Sequence, residues 1–343
     1  MARIDPFLFI PTASIGTQCQ EDYFYRDDGN LDELLKDFED DVAPVLIRVA
    51  RNESFDSKEE SALRLLAVTL NNRTRKAVEY GKQFPKRIAF EVINRGIDKG
   101  DLPPPPKDWS EDMVDFTGVA GTLMSATIPC WMEMKTLDCK LLKAEPGSYF
   151  ITSDNPVILL NQYFQSELPY RSYIGFGRSG FQLMLPISPT ICLLFYDPKV
   201  YKVGTRSSQT TQISAWDVET VNSLQVQSAE RCLYCHDPSQ ETVIRSLLVG
   251  FAKHRTSVRS SLRTLKNASG KDEILHFVGP TIRVTRPWSV CCRRRHVTIG
   301  RDRRRDPMWS HTIDLLSEDI EMNPRGGELF ERLERILECK LKS

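Results

Sequence analysis

Residues 149–160, Tyr-Phe-Ile-Thr-Ser-Asp-Asn-Pro-Val-Ile-Leu-Leu, restrict the fold of this 343-residue chain more than any other stretch, because they join two apolar runs through a polar turn. Phe150 with Ile151, and residues 157–160, have the apolar and β-branched character of buried strands, and Ser153-Asp154-Asn155-Pro156 supplies the turn chemistry between them. A polar corner held between two pieces of core fixes its side chains at low entropic cost, which suits a functional site. An Asx-type turn that satisfies its own backbone has the same spelling. From the residues alone both readings stand.

The same texture of short apolar runs, separated by Pro, Gly, Asn and Ser, extends from Leu137 to Tyr201. Strands are expected at 139–144, 150–152, 157–160, 181–185 and 191–196, with Pro186-Ile187-Ser188-Pro189 as a tight connection between the last two. Upstream the apolar period is helical. Leu31, Leu34, Leu35, Phe38, Val42 and Val45 mark a helix capped by Asn30, which Pro44 is expected to kink or end early. A second helix opens at Asp56 or Ser57 and is expected to reach Val78 or beyond, with Pro85 ending or bending it before a third piece at 88–97. Pro103-Pro104-Pro105-Pro106 excludes helix and reads as a semi-rigid polyproline spacer. A further helix is expected from Ser110 through Leu123 toward Pro129, and two more at 214–229 and 239–253. The class is α+β: an amino-terminal helical layer on a small, mainly antiparallel sheet, closed by further helices and followed by a basic carboxy-terminal extension. The expected divisions are 1–130, 131–286 sharing one core with the first part, and 287–343.

No apolar run approaches the ~18 residues of a membrane span, and Met1-Ala2-Arg3-Ile4-Asp5-Pro6 lacks a signal-peptide pattern, so a cytoplasmic protein without a membrane partner is expected. Nine cysteines, an odd number, then read as reduced thiols rather than a disulfide framework. Net charge is zero, so affinity for nucleic acid must come from local clustering. Such a cluster exists in Arg293, Arg294, Arg295, Arg301, Arg303, Arg304 and Arg305, near Trp288 and Trp309; it is either a phosphate-backbone contact or a solvated loop. Beyond Pro324, Leu329, Leu333, Ile336, Leu337 and Leu341 share one helical face, which invites a protein partner or self-association.

For chemistry, Ser153, Asp154 and Asn155 are candidates to join Asn222 and Arg73 in a polar pocket. The acid would bind a metal or accept a proton, the amides would orient a substrate, and the arginine would hold phosphate or carboxylate. The alternative is a buried network pinning the helical layer to the sheet. Histidine is missing before His236, which disfavours a Ser-His-Asp triad. Cys232-Leu233-Tyr234-Cys235-His236 matches a covalent-haem spelling and, with Cys291, Cys292 or His296, a zinc donor set of irregular spacing. Unpaired buried thiols are the simpler account, so no metal site is assigned and the cofactor is unknown.

Residues 151–157 (Ile-Thr-Ser-Asp-Asn-Pro-Val), then Leu185-Pro186-Ile187-Ser188-Pro189, then Val221-Asn222-Ser223-Leu224-Gln225 with Ala229, resemble in order and spacing an uncharacterised bacterial family, domain-of-unknown-function family 4238. Glu21 to Tyr25, the segment around Ala43-Pro44 and Arg73-Thr74 are similar to its amino-terminal part. Members commonly begin with a His-x-x-Pro-x-x-Tyr-Leu segment that this chain lacks; if that histidine is a base or metal ligand, this chain is expected to be inactive. The resemblance brings no established reaction. The leading expectation is an intracellular effector of the bacterial accessory genome, active in defence against phage and acting on nucleic acid or nucleotides through the Ser-Asp-Asn corner. The other is a non-catalytic protein-interaction or regulatory module whose polar network is structural.

Overall fold

The computed structural model describes residues 1–13, 29–115, 119–162, 175–255, 261–266, 273–278, 282, 284 and 291–293. Its first long helix, α1 (Gly29–Ala50), runs through Pro44 rather than ending there. Pro44 and Asp40, whose carbonyl loses its helical partner, are both exposed, so the cost of the lost bond is that of a solvent-facing group rather than a buried one. Asp56 caps α2 (Ser57–Asn72) through a capping box with Glu59. The helix expected to continue to Val78 stops at Arg73, and Thr74, in extended conformation, caps a new helix, α3 (Arg75–Lys99). Thr74 accepts the Ala77 N–H, giving the new helix its own start. α3 continues through Pro85, expected to end or bend the run, and does not end there; it is packed against Val119 at Gly81 and held by contacts on the far side of the proline, which offset one lost bond. The helix expected from Ser110 to Pro129 is instead a 3-10 turn at Glu111–Met113, then α4 (Val119–Ser125) and α5 (Thr127–Met134). Pro129 is the third residue of α5, where the helix needs no N–H.

The central sheet has the order β5-β6-β7-β3-β9, formed by β3 (Asp138–Ala144), β5 (Ile158–Leu160), β6 (Gln182–Pro186), β7 (Ile191–Tyr196) and β9 (Thr210–Ile213). All its pairs are antiparallel except β3 with β9. The expected β6–β7 hairpin is present, with Pro186 opposite Cys192. Side chains alternate between two cores, as a pleated strand requires. Leu183, Leu193 and Phe195 face Val49, Leu63, Ala67 and Trp131 of the helical layer. Met184, Leu194 and Tyr196 face Val218, Val221 and Leu224 of α6 (Ala215–Ser228), which Ser214 caps.

Beyond α6 lies a second sheet, in the order β2-β1-β10-β4, made of β1 (Ala2–Arg3), β2 (Leu8–Phe9), β4 (Thr152–Ser153) and β10 (Cys232–Tyr234). With α7 (Glu241–Phe251) it encloses a third core of Ile151, Val226, Ala229, Leu233 and Ile244. The Ser-Asp-Asn-Pro corner therefore carries the chain from one sheet to the other, and α6 is the layer between them. Later, β8 (Tyr201–Val203) pairs with β13 (Cys291–Arg293), and β11 (Ser261–Lys266) pairs with β12 (Glu273–Val278). Arg294, Arg295, Arg301, Arg303, Arg304, Arg305 and the apolar stripe after Pro324 lie outside the described residues.

Candidate functional site

α6 is buried on every side from Val221 to Ser228, yet carries Asn222, Ser223, Gln225, Gln227 and Ser228. Polar groups in such a place need partners. Asn222, Gln225 and Ser228 recur every third residue and so form one stripe, and the corner is what that stripe meets. Asn222 accepts the Ile151 N–H at 2.9 Å and donates to the Tyr149 carbonyl at 2.9 Å. Gln225 accepts from Ser153 Oγ at 2.8 Å and donates to the Pro156 carbonyl. Ser228 Oγ accepts from Asn155 Nδ2 at 2.7 Å and donates to the Asn155 carbonyl at 3.1 Å.

Asp154 points past the end of α6. Its carboxylate accepts three consecutive main-chain N–H groups, those of Glu230, Arg231 and Cys232, at 2.9, 2.6 and 3.1 Å. The Asp154 N–H in turn reaches the Cys232 carbonyl, continuing the β4–β10 pairing. Charged hydrogen bonds of this kind are about twice as strong as neutral ones.

The carboxyl end of α6 presents the Ser228 carbonyl, which accepts from Asn155 Nδ2 at 3.2 Å and from Lys76 Nζ at 2.6 Å. The break at Arg73-Thr74 is what aims Lys76, in the first turn of α3, at this carbonyl. A cation there complements both the helix dipole and Asp154. Burial nevertheless holds the Lys76 ammonium down to about 8, a shift that the Asp154 and Glu230 charges only partly oppose. Burial, reinforced by Asp154, also raises Glu230 above the ordinary carboxylate range.

Of the five residues singled out in the sequence, the fold brings four together: Ser153, Asp154, Asn155 and Asn222. Arg73 stands apart, with its guanidinium on Glu39 of α1. Sequence reasoning missed Lys76, Gln225 and Ser228. The i, i+3, i+6 polar stripe on an otherwise apolar helix was a legible signal for the last two; nothing local marks Lys76.

Elsewhere, Cys130, Cys139 and Cys192 are free thiols pushed upward by burial, Cys130 to about 12, as expected of unreactive core cysteines. Cys235 is also a free thiol. Among the described residues no three His, Cys, Asp or Glu side chains are grouped as a metal site would need, and no helix is long and apolar enough to cross a membrane. A groove between α6 and α7 is lined by Glu219, Thr242, Val243, Ser246, Leu247, Gly250 and Phe251, so the corner residues take no part in it.

An α+β chain whose two larger sheets are joined by one corner and one buried helix is the class these features define. Residues 107–239 match the model of a family described as "Protein of unknown function (DUF4238)", and this span holds the corner, α6 and the hairpin that carried the resemblance. No curated protein and no solved structure matches the chain.

Proposed function

We propose that the chain is a non-catalytic interaction or regulatory module, acting in the cytoplasm, in which the Ser-Asp-Asn corner is a structural clasp. One observation carries this reading: the Asp154 carboxylate is engaged by three main-chain N–H groups, and the Asn155, Asn222, Gln225 and Ser228 side chains are directed at main chain and at one another. A general base or metal ligand keeps its lone pairs for the substrate or the ion, whereas three of the roughly four acceptor sites of the Asp154 carboxylate are taken by main chain, an arrangement that supports holding a buried helix against two sheets. The test is induced expression in a bacterial host of the intact chain, Asp154→Asn and Asn155→Ala, alongside their melting midpoints. Any growth effect is expected to persist in soluble variants whose midpoints have fallen. A growth effect abolished at an unchanged midpoint would give the corner a chemical role.

The second reading, an accessory-genome effector active against phage and acting on nucleic acid, draws support from the arginine block. Arg293 closes β13 opposite Tyr201, so the block begins at the folded core. Its contribution would be affinity without sequence discrimination, because guanidinium groups suit phosphates and phosphate contacts carry no sequence information directly. Binding to single- and double-stranded oligonucleotides is expected to weaken with salt by a log-log slope of about −0.7 to −0.9 per neutralised phosphate. Replacing Arg303, Arg304 and Arg305 by alanine flattens that slope; undetectable binding by the intact chain at low salt removes this reading.

A further inference from the structure

The proline run 103–106 is exposed at all four residues, with Leu102 and Lys107 exposed on either side. The chain around it folds back along α3. Gly100, at φ 79°, ends that helix, and the Asp101 and Leu102 N–H groups then bond to the Gly96 carbonyl at 2.8 and 3.1 Å. Leu102 covers Gly96 so closely that a Cβ there would stand 2.8 Å from its Cδ1. Past the prolines, Trp109 lies against Phe90 with ring centroids 5.3 Å apart and donates from Nε1 to Asn94 at 2.8 Å. Glu111 and Asp112 then pair with Arg87 and Lys86 at 3.5 and 2.9 Å. Residues 101–113 thus form a strap antiparallel to α3, fastened at both ends.

Both fastenings are on one helix, so the run separates nothing and has no use as a spacer. Its conformation is nonetheless restricted: each proline holds φ near −65°, and Pro103, Pro104 and Pro105 each precede another proline, which excludes the α region. What remains is polyproline II, with three residues per turn and a rise of about 3.1 Å per residue. Pro103 and Pro106 then stand on one edge about 9 Å apart, close to the rise of about 9 Å along α3 from Phe90 to Gly96. The strap therefore displays a short apolar helix that is ordered before any partner arrives, which lowers the entropic cost of binding.

We propose that this run is a docking ligand for a partner protein whose groove is lined by aromatic side chains and accepts a polyproline II helix. The proposal goes beyond the role of the corner and holds whether that corner is structural or chemical. The full chain would be titrated into isotope-labelled SH3, WW and EVH1 domains, one of each. Saturable shifts in the aromatic groove of at least one domain are expected, reversed by an added octaproline peptide and weakened at least tenfold by Pro103→Ala with Pro106→Ala. Trp109→Ala, which frees one end of the strap, should weaken binding less, by a few fold. Because octaproline competition uses the intact chain, it reads the site even if a variant folds poorly. No response from any of the three domains, binding untouched by octaproline, or a folded double variant that binds as well as the intact chain would overturn the proposal.

Discussion

The corner at 149–157 and the strap at 101–113 are both irregular segments fastened to a helix, and their chemistry is inverted. The corner is rich in groups that could act on a substrate, yet its partners are the protein's own main chain and the side chains of α6. The strap is mostly apolar, yet its prolines face solvent. Availability is decided by where hydrogen bonds go and not by which residue types are present. A buried amide bonded at both ends is a fastener, and an exposed proline without an N–H leaves a surface.

Substitution should separate the two segments by stability. The largest loss is expected for Asn222→Ala, which leaves the Ile151 N–H and the Tyr149 carbonyl without their partner beside a side chain only 5% exposed. Losing one buried and one partly buried hydrogen bond should cost about 2–4 kcal/mol in urea unfolding. A change under about 0.5 kcal/mol, typical of surface sites, would place Asn222 outside the clasp.

Lys76→Met sharpens the comparison through pH. The folded chain holds Lys76 at about 8 against an ordinary 10.5. Between those values the unfolded state carries more protons, so stability contributed by this residue rises with pH from about 8 to about 10.5 and is level outside that window. The raised thiols of Cys130, Cys139 and Cys192 act in the opposite sense but are common to both proteins. The stability of the intact chain minus that of Lys76→Met should therefore climb across the window, by on the order of 3 kcal/mol at most. A flat difference would mean that Lys76 is solvated.

The smallest effect belongs to the strap. Pro103→Ala with Pro106→Ala should cost about 1 kcal/mol, the freedom returned to the unfolded chain, and no more, because neither side chain is buried. A loss as large as that of Asn222→Ala would make the strap a structural element and dissolve the contrast.

The strands from Asp138 to Tyr196 and the helices α2, α6 and α7 were legible because period and caps are local: Asp56 and Ser214 sit where a cap must. The two sheets were not, since pairing of Ala2 with Leu233, or of Leu233 with Ser153, is set by tertiary packing and leaves no short-range mark. Prolines do not end α1 or α3, and Pro129 stands in the first turn of α5; exposure, flanking contacts and that first-turn position make them tolerable. In the corner, Asp154, Asn155 and Asn222 were visible as residues of interest; that Asp154 faces three backbone N–H groups depends on where residues 230–232 return. Lys76 was invisible for the same reason, its target lying 152 positions away.

Chemical denaturation of Asn155→Ala tests the clasp most directly. The side chain joins the corner to Ser228 at both its carbonyl and its hydroxyl, and no repacking of a methyl group can replace those bonds. The account predicts a loss of about 1–3 kcal/mol at an unchanged m-value. An unchanged or raised midpoint would contradict it, because residues kept for chemistry are often replaced without loss of stability.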